Sequence, residues 1–177
     1  MNLWKDFNAK RINADDFMAV IEISQGSKKK YELDKETGAI CLDRVLFTSM
    51  QYPANYGFIP RTLSEDGDPL DVLVLCSEII DPLVLVRCKP IGMVTMIDDG
   101  KEDEKIIAVP LRDPNYNIYN TLDDLPKHIF EEIMHFFSNY KALEPDRTTE
   151  VKSLDSAETA REAIKQAKEL FLDTFEK

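Results

Sequence analysis

The spacing of the apolar residues changes partway along the chain, and this change limits the possible folds more than any other feature of the sequence. From about residue 17 to residue 109 the apolar residues form short runs, separated by turn signals such as Asp66-Gly67 and Asp99-Gly100. Short runs rich in β-branched residues favour strands, here over residues 20–23, 30–33, 71–75 and 83–86, with the last two patterned as buried strands. Many short strands at this spacing predict a small closed or partly closed barrel.

The last third of the chain has helical spacing instead. A first helix is predicted with Pro126 in its first turn and an apolar face of Ile129, Ile133, Phe136, Phe137 and Tyr140. A second is predicted to begin near Asp155, with Glu158 as capping-box partner and an apolar stripe of Ala160, Ile164, Ala167, Phe171 and Phe175. Both patterns are amphipathic, so the helices should pack against the barrel. The sequence therefore predicts an α+β, mainly β fold in one domain over residues 1–177.

The charge balance argues against two classes of partner. The chain has 22 Lys and Arg against 33 Asp and Glu, a formal net charge of -11. Nucleic acids and anionic membrane surfaces attract clustered basic charge, so we expect neither as a partner. The longest uncharged run, residues 45–60, is also too short to span a bilayer.

Two further features predict a cytoplasmic protein. The three cysteines, Cys41, Cys76 and Cys88, contain no CxxC pair and are expected to be reduced thiols. The first six residues lack the apolar core of a secretory signal.

The segment with the most chemical information is Asp66-Gly67-Asp68-Pro69-Leu70-Asp71, a tight turn that leads into an apolar strand. The turn can bring Asp66, Asp68 and Asp71 together, although two carboxylates about 4 Å apart repel by roughly 4 kcal/mol at an effective dielectric of about 20. Either the side chains spread into water, or a cation neutralises them. Carboxylate oxygens favour Mg²⁺, Mn²⁺ or Ca²⁺. From this segment alone, a solvated acidic turn and a metal site both remain open.

A second acidic cluster lies between the apolar segments 93–96 and 106–109. Its members, closed by Lys105, are Asp98, Asp99, Glu102, Asp103 and Glu104. Alone, such a cluster is most often a charged hairpin tip. Two clusters in one small β domain, however, favour a two-metal site.

The segment between Arg44 and Arg61 is of a different kind, because it is uncharged and rich in hydroxyl and amide donors: Tyr52-Pro53-Ala54-Asn55-Tyr56-Gly57. Arg44 can bind a phosphate through two parallel hydrogen bonds, and tyrosine hydroxyls add neutral donors. Core packing is the alternative for each tyrosine. Lys141 ends the first predicted helix, where the helix dipole favours a lysine in any case.

Taken together, these segments resemble the family I soluble inorganic pyrophosphatases of bacteria. Residues 66–72 match that family's Asp-Gly-Asp-Pro-Leu-Asp-Val motif, and residues 52–57 match its Tyr-Pro-x-Asn-Tyr-Gly segment. The matching residues keep the family's order and spacing from about residue 16 to the last helix. The resemblance implies a five-stranded, OB-like closed barrel flanked by helices.

The resemblance also implies a reaction and a role for each matching residue. We expect hydrolysis of pyrophosphate to two orthophosphates by direct in-line attack of a metal-activated water, without a covalent intermediate. Asp68 is the expected proton acceptor, and Tyr56 is expected to orient Asp68 or the water. The expected metal ligands are Glu32, Asp66, Asp71, Asp98 and Asp103. The expected substrate-binding residues are Lys30, Arg44, Tyr56, Lys105, Tyr140 and Lys141, with Glu22 and Tyr52 lining the site.

Several Mg²⁺ ions per active site are implied as cofactor, with Mn²⁺ or Zn²⁺ as substitutes, and a homohexamer is the favoured assembly. One segment departs from the family pattern. Residues 144–149, Glu-Pro-Asp-Arg-Thr-Thr, lack the Lys-Trp pair that many bacterial members carry.

Three other functions compete with pyrophosphate hydrolysis. The first is a barrel that binds metal or phosphate without catalysis. A substitution at Asp68, Asp71 or Asp103 would indicate such a loss of catalysis, but all three aspartates are present. A nucleic-acid-binding OB-like module would need interleaved basic and aromatic residues on its strands, and the net charge of -11 counts against it. A hydrolase of larger phosphate esters would be separated by comparing activity on pyrophosphate and on ATP.

Overall fold

Short strands dominate the first two thirds of the chain, and both helices lie in the last third. The computed structural model describes residues 1–176, and within them it contains nine strands and two α-helices. The strands are β1 (Ile12–Asn13), β2 (Asp16–Ile23), β3 (Lys29–Leu33), β4 (Ile40–Val45), β5 (Asn55–Phe58), β6 (Asp71–Val74), β7 (Leu85–Asp98), β8 (Lys101–Pro110) and β9 (Thr149–Ser156). The helices are α1 (Lys127–Asn139) and α2 (Ala157–Phe175), and short 3₁₀ turns lie at Ala9–Arg11 and Leu122–Asp124.

Five of the strands form a ring. β2 pairs with both β5 and β7, β5 pairs with β6, β6 with β8, and β8 with β7. All of these pairings are antiparallel except the one between β6 and β8. The ring matches the predicted five-stranded, OB-like barrel. β9 extends the sheet beside β7, whereas β3 and β4 pair only with each other.

The contact between β2 and β5 depends on a glycine. Gly57 of β5 lies opposite Ile21 of β2. A Cβ atom at Gly57 would lie 1.8 Å from the carbonyl oxygen of Val20 and 2.9 Å from Ile21 Cα. No side chain fits in that space, so only glycine allows the two backbones to approach this closely.

The two helices cover opposite faces of the sheet. In β6, Val72 packs in the same cluster as α2, whereas the next residue, Leu73, packs in the same cluster as α1. Successive strand residues point to opposite faces, so the helices pack against the barrel as predicted. The residues of the predicted stripes that are buried are Ile133, Phe136, Phe137 and Tyr140 of the first helix and Ala160, Ile164, Ala167 and Phe171 of the second. No helix within residues 1–176 has the length and apolarity that crossing a membrane requires.

The starts of both helices differ from the prediction. Pro126 is the N-cap residue of α1 rather than part of its first turn. The N-cap of α2 is Ser156, whose side chain accepts a hydrogen bond from the backbone N–H of Thr159 at 3.2 Å. Asp155 lies instead in β9, opposite Met93 of β7. The pairing with β7 therefore holds Asp155 in a strand, which the local capping signal does not reveal.

The buried strand predicted over residues 83–86 is wrong in its first half, residues 83 and 84, and in its burial. Leu83 has a left-handed backbone with φ of 70°, and β7 begins only at Leu85. Leu83, Val84 and Leu85 are between 37% and 48% exposed. An apolar run alone does not distinguish a buried strand from an apolar surface, because much of any protein surface is apolar.

Candidate active site

All but one of the predicted site residues line a single cavity of about 410 Å³. The residues on its wall are Glu22, Lys30, Glu32, Arg44, Tyr56, Asp66, Asp68, Asp71, Asp98, Asp103, Lys105, Tyr140 and Lys141. Tyr52 lies behind this wall and is buried, with its ring centre 5.3 Å from that of Tyr56 and 4.8 Å from that of Phe136. It therefore supports the wall by packing, which is the alternative that its sequence left open.

The turn between β5 and β6 brings three aspartates to the cavity. Gly67, with φ of 89°, reverses the chain. The backbone N–H of Ser64 donates to the carbonyl oxygen of Asp68 at 2.8 Å, and the N–H of Asp68 donates to Asp66 Oδ1 at 2.9 Å. Asp71 is the first residue of β6. The local turn chemistry thus brings all three residues to the wall of the cavity.

Lys105 of β8 lies at the centre of a buried charge cluster. The parallel register places it opposite Asp71, and Asp103, two residues earlier on the strand, points to the same face. Lys105 Nζ donates to Asp71 Oδ2 at 2.8 Å, to Asp103 Oδ2 at 2.9 Å and to Tyr56 Oη at 3.0 Å. Tyr56 Oη in turn donates to Asp71 Oδ2 at 2.6 Å. The ammonium group therefore offsets the charge of both carboxylates.

Burial perturbs the protonation of this cluster. It raises the pKa of Asp103, and the nearby Lys105 offsets only part of that effect. Burial alone would lower the pKa of Lys105, but the carboxylates of Asp103 and Asp71 outweigh it and hold that pKa well above its ordinary value. Lys105 therefore stays charged at neutral pH.

Two further carboxyl groups of the wall have raised pKa values. Burial raises the pKa of Asp66 to about 6, with a contribution from neighbouring aspartates. Glu22 is buried and accepts a hydrogen bond from the N–H of Leu33 at 2.8 Å. Burial, followed by the charge of Asp71, raises the pKa of Glu22 to about 8. Both carboxyl groups are therefore protonated more readily than a carboxyl group in water.

A second ammonium–carboxylate pair joins α1 to the hairpin of β7 and β8. Lys141, just after the end of α1, donates through Nζ to the two carboxylate oxygens of Asp98 at 2.6 and 2.7 Å. Burial lowers the pKa of Lys141, although Asp98 counteracts it. Tyr140 stacks on Phe136, with ring centres 5.1 Å apart and an interplanar angle of 28°. The stacked ring anchors the end of the helix beside the cavity.

The hairpin of β3 and β4 supplies two cations to the cavity. Lys30 and Arg44 face each other across the hairpin. Lys30 Nζ donates to Glu32 at 3.2 Å and lies 3.5 Å from Asp43. Arg44 pairs with Asp43 and with Glu144, whose Oε1 lies 2.8 Å from Arg44 Nε. Glu32 is therefore paired with a lysine of its own strand.

Other residues of the wall carried no signal in the sequence. Trp4, Lys35 and Arg147 line the cavity as well. Lys35 forms an ion pair with Asp68 and donates to the carbonyl oxygen of Gly67 at 3.3 Å. Arg147, from the segment that departs from the family pattern, donates through Nε to Asp99 Oδ2 at 2.7 Å. Tertiary contacts bring these residues to the site from segments that show no motif.

The chemistry of the donors suits a divalent cation beside a polyanion. Within residues 1–176, no three His, Cys, Asp or Glu side chains converge closely enough to hold one ion, and the Lys105 ammonium lies between Asp71 and Asp103 instead. The residues nevertheless fit Mg²⁺ in kind, because they present carboxylate oxygens. The raised pKa values of Asp66 and Asp103 mean that added positive charge would stabilise this wall. The basic groups of the same cavity suit phosphate oxygens.

Comparison with known proteins agrees with this geometry. The family model described as Inorganic pyrophosphatase matches residues 19–171. An inorganic pyrophosphatase of Aquifex pyrophilus is 50% identical over 165 residues, which are 92% of this chain and 93% of that protein. A solved structure of the inorganic pyrophosphatase from Helicobacter pylori has a TM-score of 0.87 at 43% identity, and the match covers 90% of this chain and 95% of that chain. The inorganic pyrophosphatase structure from Thermus thermophilus has a TM-score of 0.88 at 37% identity, with coverage of 97% and 99%.

Proposed function

The chain belongs to the inorganic pyrophosphatase family and is a hydrolase of pyrophosphate, and we propose that it works by direct in-line attack of water with Asp68 as proton acceptor. The water oxygen forms a bond to one phosphorus atom while the bridging P–O bond breaks, and a proton of the water passes to Asp68. Two orthophosphates result without a covalent intermediate. None of the three cysteines lines the cavity.

The observation that carries this proposal is that one cavity holds both kinds of group. Its wall presents the carboxyl groups of Asp66, Asp68 and Asp71 together with the cations Lys30 and Arg44 of the hairpin. A proton acceptor for a water, close to phosphate-binding cations, is what in-line phosphoryl transfer needs.

The family is metal-dependent, and we propose Mg²⁺ as the cofactor, with several ions per site and Mn²⁺ or Zn²⁺ as substitutes. The residues that would hold it are Glu32, Asp66, Asp71, Asp98 and Asp103. When bound, Mg²⁺ would lower the pKa of a coordinated water and offset the charge of the leaving phosphate.

The chain's own residues bind and orient the substrate in this proposal. The phosphate oxygens are bound by Lys30, Arg44, Lys105, Tyr140 and Lys141. Tyr56 donates to Asp71 in this structure, so its part is to fix that carboxylate and the Lys105 ammonium. Asp68 contacts Lys35 rather than Tyr56, and its side chain is 53% exposed. It is therefore accessible to a water in the cavity.

We also propose that residues 1–177 form one domain, and that the protein works in the cytoplasm as a homo-oligomer, with a hexamer favoured. Free thiols at all three cysteines support a reducing compartment. Exposed apolar side chains support assembly: Ile79, Leu83 and Val84 are between 42% and 66% exposed. Light scattering of the purified protein would give its oligomeric state.

The test of the proposed function is phosphate release from pyrophosphate with Mg²⁺ and with EDTA, for the wild type and for Asp68→Asn. A positioned general base contributes about 10²–10⁴-fold, so we expect a loss of that order in the variant and no release in EDTA. Asp15→Asn, at a side chain 79% exposed and outside the cavity, is the matched control.

Wild-type turnover in Asp68→Asn would show that Asp68 is not the proton acceptor. No release by the folded wild type under any divalent cation would favour a binding barrel instead. Faster turnover of ATP than of pyrophosphate would favour a hydrolase of larger phosphate esters.

A further inference from the structure

Glu144 is a buried carboxylate that none of the roles above uses. It opens the segment 144–149, which departs from the family pattern, and it follows the end of α1 by a few residues. Its side chain is only 5% exposed. A buried carboxylate requires a partner, and the partner of Glu144 is Arg44.

The contact between the two side chains leaves N–H donors of the guanidinium group available. Arg44 Nη2 donates to Glu144 Oε2 at 3.2 Å, and Nε lies 2.8 Å from Glu144 Oε1 as an ion-pair contact without hydrogen-bond geometry. Arg44 Nη1 donates to Asp43. A guanidinium group has five N–H donors in a rigid fork. One N–H on each of Nη1 and Nη2 therefore remains, and these donors can bind phosphate oxygens.

The pair also connects two parts of the fold that the sheet does not join. Arg44 lies on β4, which pairs only with β3, whereas Glu144 lies just beyond Tyr140 and Lys141 at the end of α1. Arg44, Tyr140 and Lys141 all line the cavity. The contact thus fixes the distance between the cation of the hairpin and the phosphate-binding groups at the helix end.

We propose that Glu144 is a positioning residue for pyrophosphate binding: it orients the Arg44 guanidinium so that its remaining N–H donors face the substrate. This inference rests on the proposed substrate role of Arg44. Glu144 does not line the cavity itself, so it acts through Arg44 and not by touching the substrate. The segment 144–149 therefore contributes to the site in this chain despite its departure from the family pattern.

The test is the steady-state kinetics of Glu144→Gln with pyrophosphate and Mg²⁺, beside Arg44→Lys and the double variant. Glutamine keeps the shape but presents an amide where Arg44 needs a carboxylate. We expect KM to rise about tenfold, which corresponds to about 1.4 kcal/mol, with kcat nearly unchanged, because the contact supports binding of the ground and transition states alike. Inhibition by orthophosphate should weaken in parallel. Glu150→Gln, at an exposed glutamate that pairs with Lys152 at 2.8 Å, should keep wild-type constants.

The double variant separates positioning from other roles. If Glu144 acts through Arg44, Glu144→Gln should add little to the KM of Arg44→Lys, because coupled residues are not additive. A full additional tenfold rise would overturn the inference. So would a wild-type KM in Glu144→Gln beside a raised KM in Arg44→Lys, and in that case the proposed function would stand. A wild type that releases no phosphate would overturn the proposed function itself. An Arg44→Lys variant with a wild-type KM would overturn the substrate role of Arg44, on which this inference rests.

Glu144→Asp keeps the proposal testable if the glutamine variant does not fold. Aspartate retains the charge but is one methylene shorter, so it holds Arg44 less well. A KM raised severalfold in a folded variant is expected, and an unchanged KM would overturn the inference.

Discussion

Replacing Lys105 with methionine measures how far the fold depends on the charge cluster of the cavity. Methionine keeps the length of the side chain but removes the ammonium group that lies 2.8 Å from Asp71 Oδ2 and 2.9 Å from Asp103 Oδ2. The Lys105 side chain is 3% exposed, that of Asp103 13% and that of Asp71 25%. Little solvent would therefore screen the two carboxylates from each other in the variant.

The magnitude follows from the burial of the pair. Removing one partner of a buried ion pair costs about 3–5 kcal/mol, and the partial exposure of Asp71 places this case at the lower end. A loss of about 3 kcal/mol lowers the Tm of a domain of this size by about 6–12 °C. A bound cation would restore part of the loss, since a ligand at 100 times its Kd stabilises a protein by about 2.7 kcal/mol. In the variant the cation would replace the missing ammonium charge beside Asp71 and Asp103. Mg²⁺ should therefore raise the Tm of Lys105→Met more than that of the wild type.

Thermal unfolding of both proteins in EDTA and in Mg²⁺ checks the reasoning. Lys101→Met is the matched control, because Lys101 lies on the same strand with its side chain exposed. A surface change of this kind stays within about 0.5 kcal/mol. If Lys105→Met has the same Tm as Lys101→Met in EDTA, the buried cluster does not stabilise the fold as argued. An equal rise with Mg²⁺ in variant and wild type would show that the cation does not replace the ammonium charge.

Two other variants test the electrostatics and the backbone of the barrel. Because burial raises the pKa of Glu22 from 4.5 to about 8, the folded state keeps a proton that the unfolded state loses, and stability should fall as pH rises from about 4.5 to 8. At about 1.36 kcal/mol per pH unit, the largest possible loss of unfolding free energy over this range is about 5 kcal/mol. The unfolding free energy from urea titrations in EDTA should therefore fall with pH, and Glu22→Gln should reduce that fall. Parallel pH curves for the variant and the wild type would refute the raised pKa of Glu22. Gly57→Ala should destabilise by about 4 kcal/mol or more, because its Cβ would lie 1.8 Å from Val20 O. In Gly100→Ala the added Cβ meets no atom within 4 Å, but the φ of 82° is strained for alanine, so this variant should lose about 1 kcal/mol of stability. Similar urea midpoints for the two alanine variants would contradict the close approach of β2 and β5.

Local pattern accounts for the parts of the fold that the sequence predicts. The β-branched run of β6 and the helical spacing of α1 both report which face of an element is buried, so their types are correctly predicted. β9 was missed because its half-buried residues, such as Val151 and Leu154, alternate irregularly with charged ones. Its partner β7 lies more than fifty residues earlier, so the pairing is tertiary and leaves no local signal.

The site divides in the same way. The turn that carries Asp66 and Asp68 is visible in the sequence, because Gly67 and the neighbouring proline specify it. That the turn and Lys105 belong to one site was predicted from the family resemblance alone, since the parallel register of β6 and β8 cannot be derived from spacing. Glu144 was missed altogether, because its partner is a hundred residues away. What a residue contacts across the fold is decided by packing, and the sequence shows only its neighbours along the chain.

The acidic composition also has a consequence that net charge alone does not reveal. A chain with a net charge of -11 still presents cations to a polyanion, because local potential depends on which groups are buried together. Lys105 and Lys141 are both buried, and a lysine so buried keeps its charge only beside carboxylates. Asp71, Asp103 and Asp98 provide these partners. The excess of acidic residues is therefore what allows charged lysines to be held in the wall of a cavity, where little water competes with them for a phosphate.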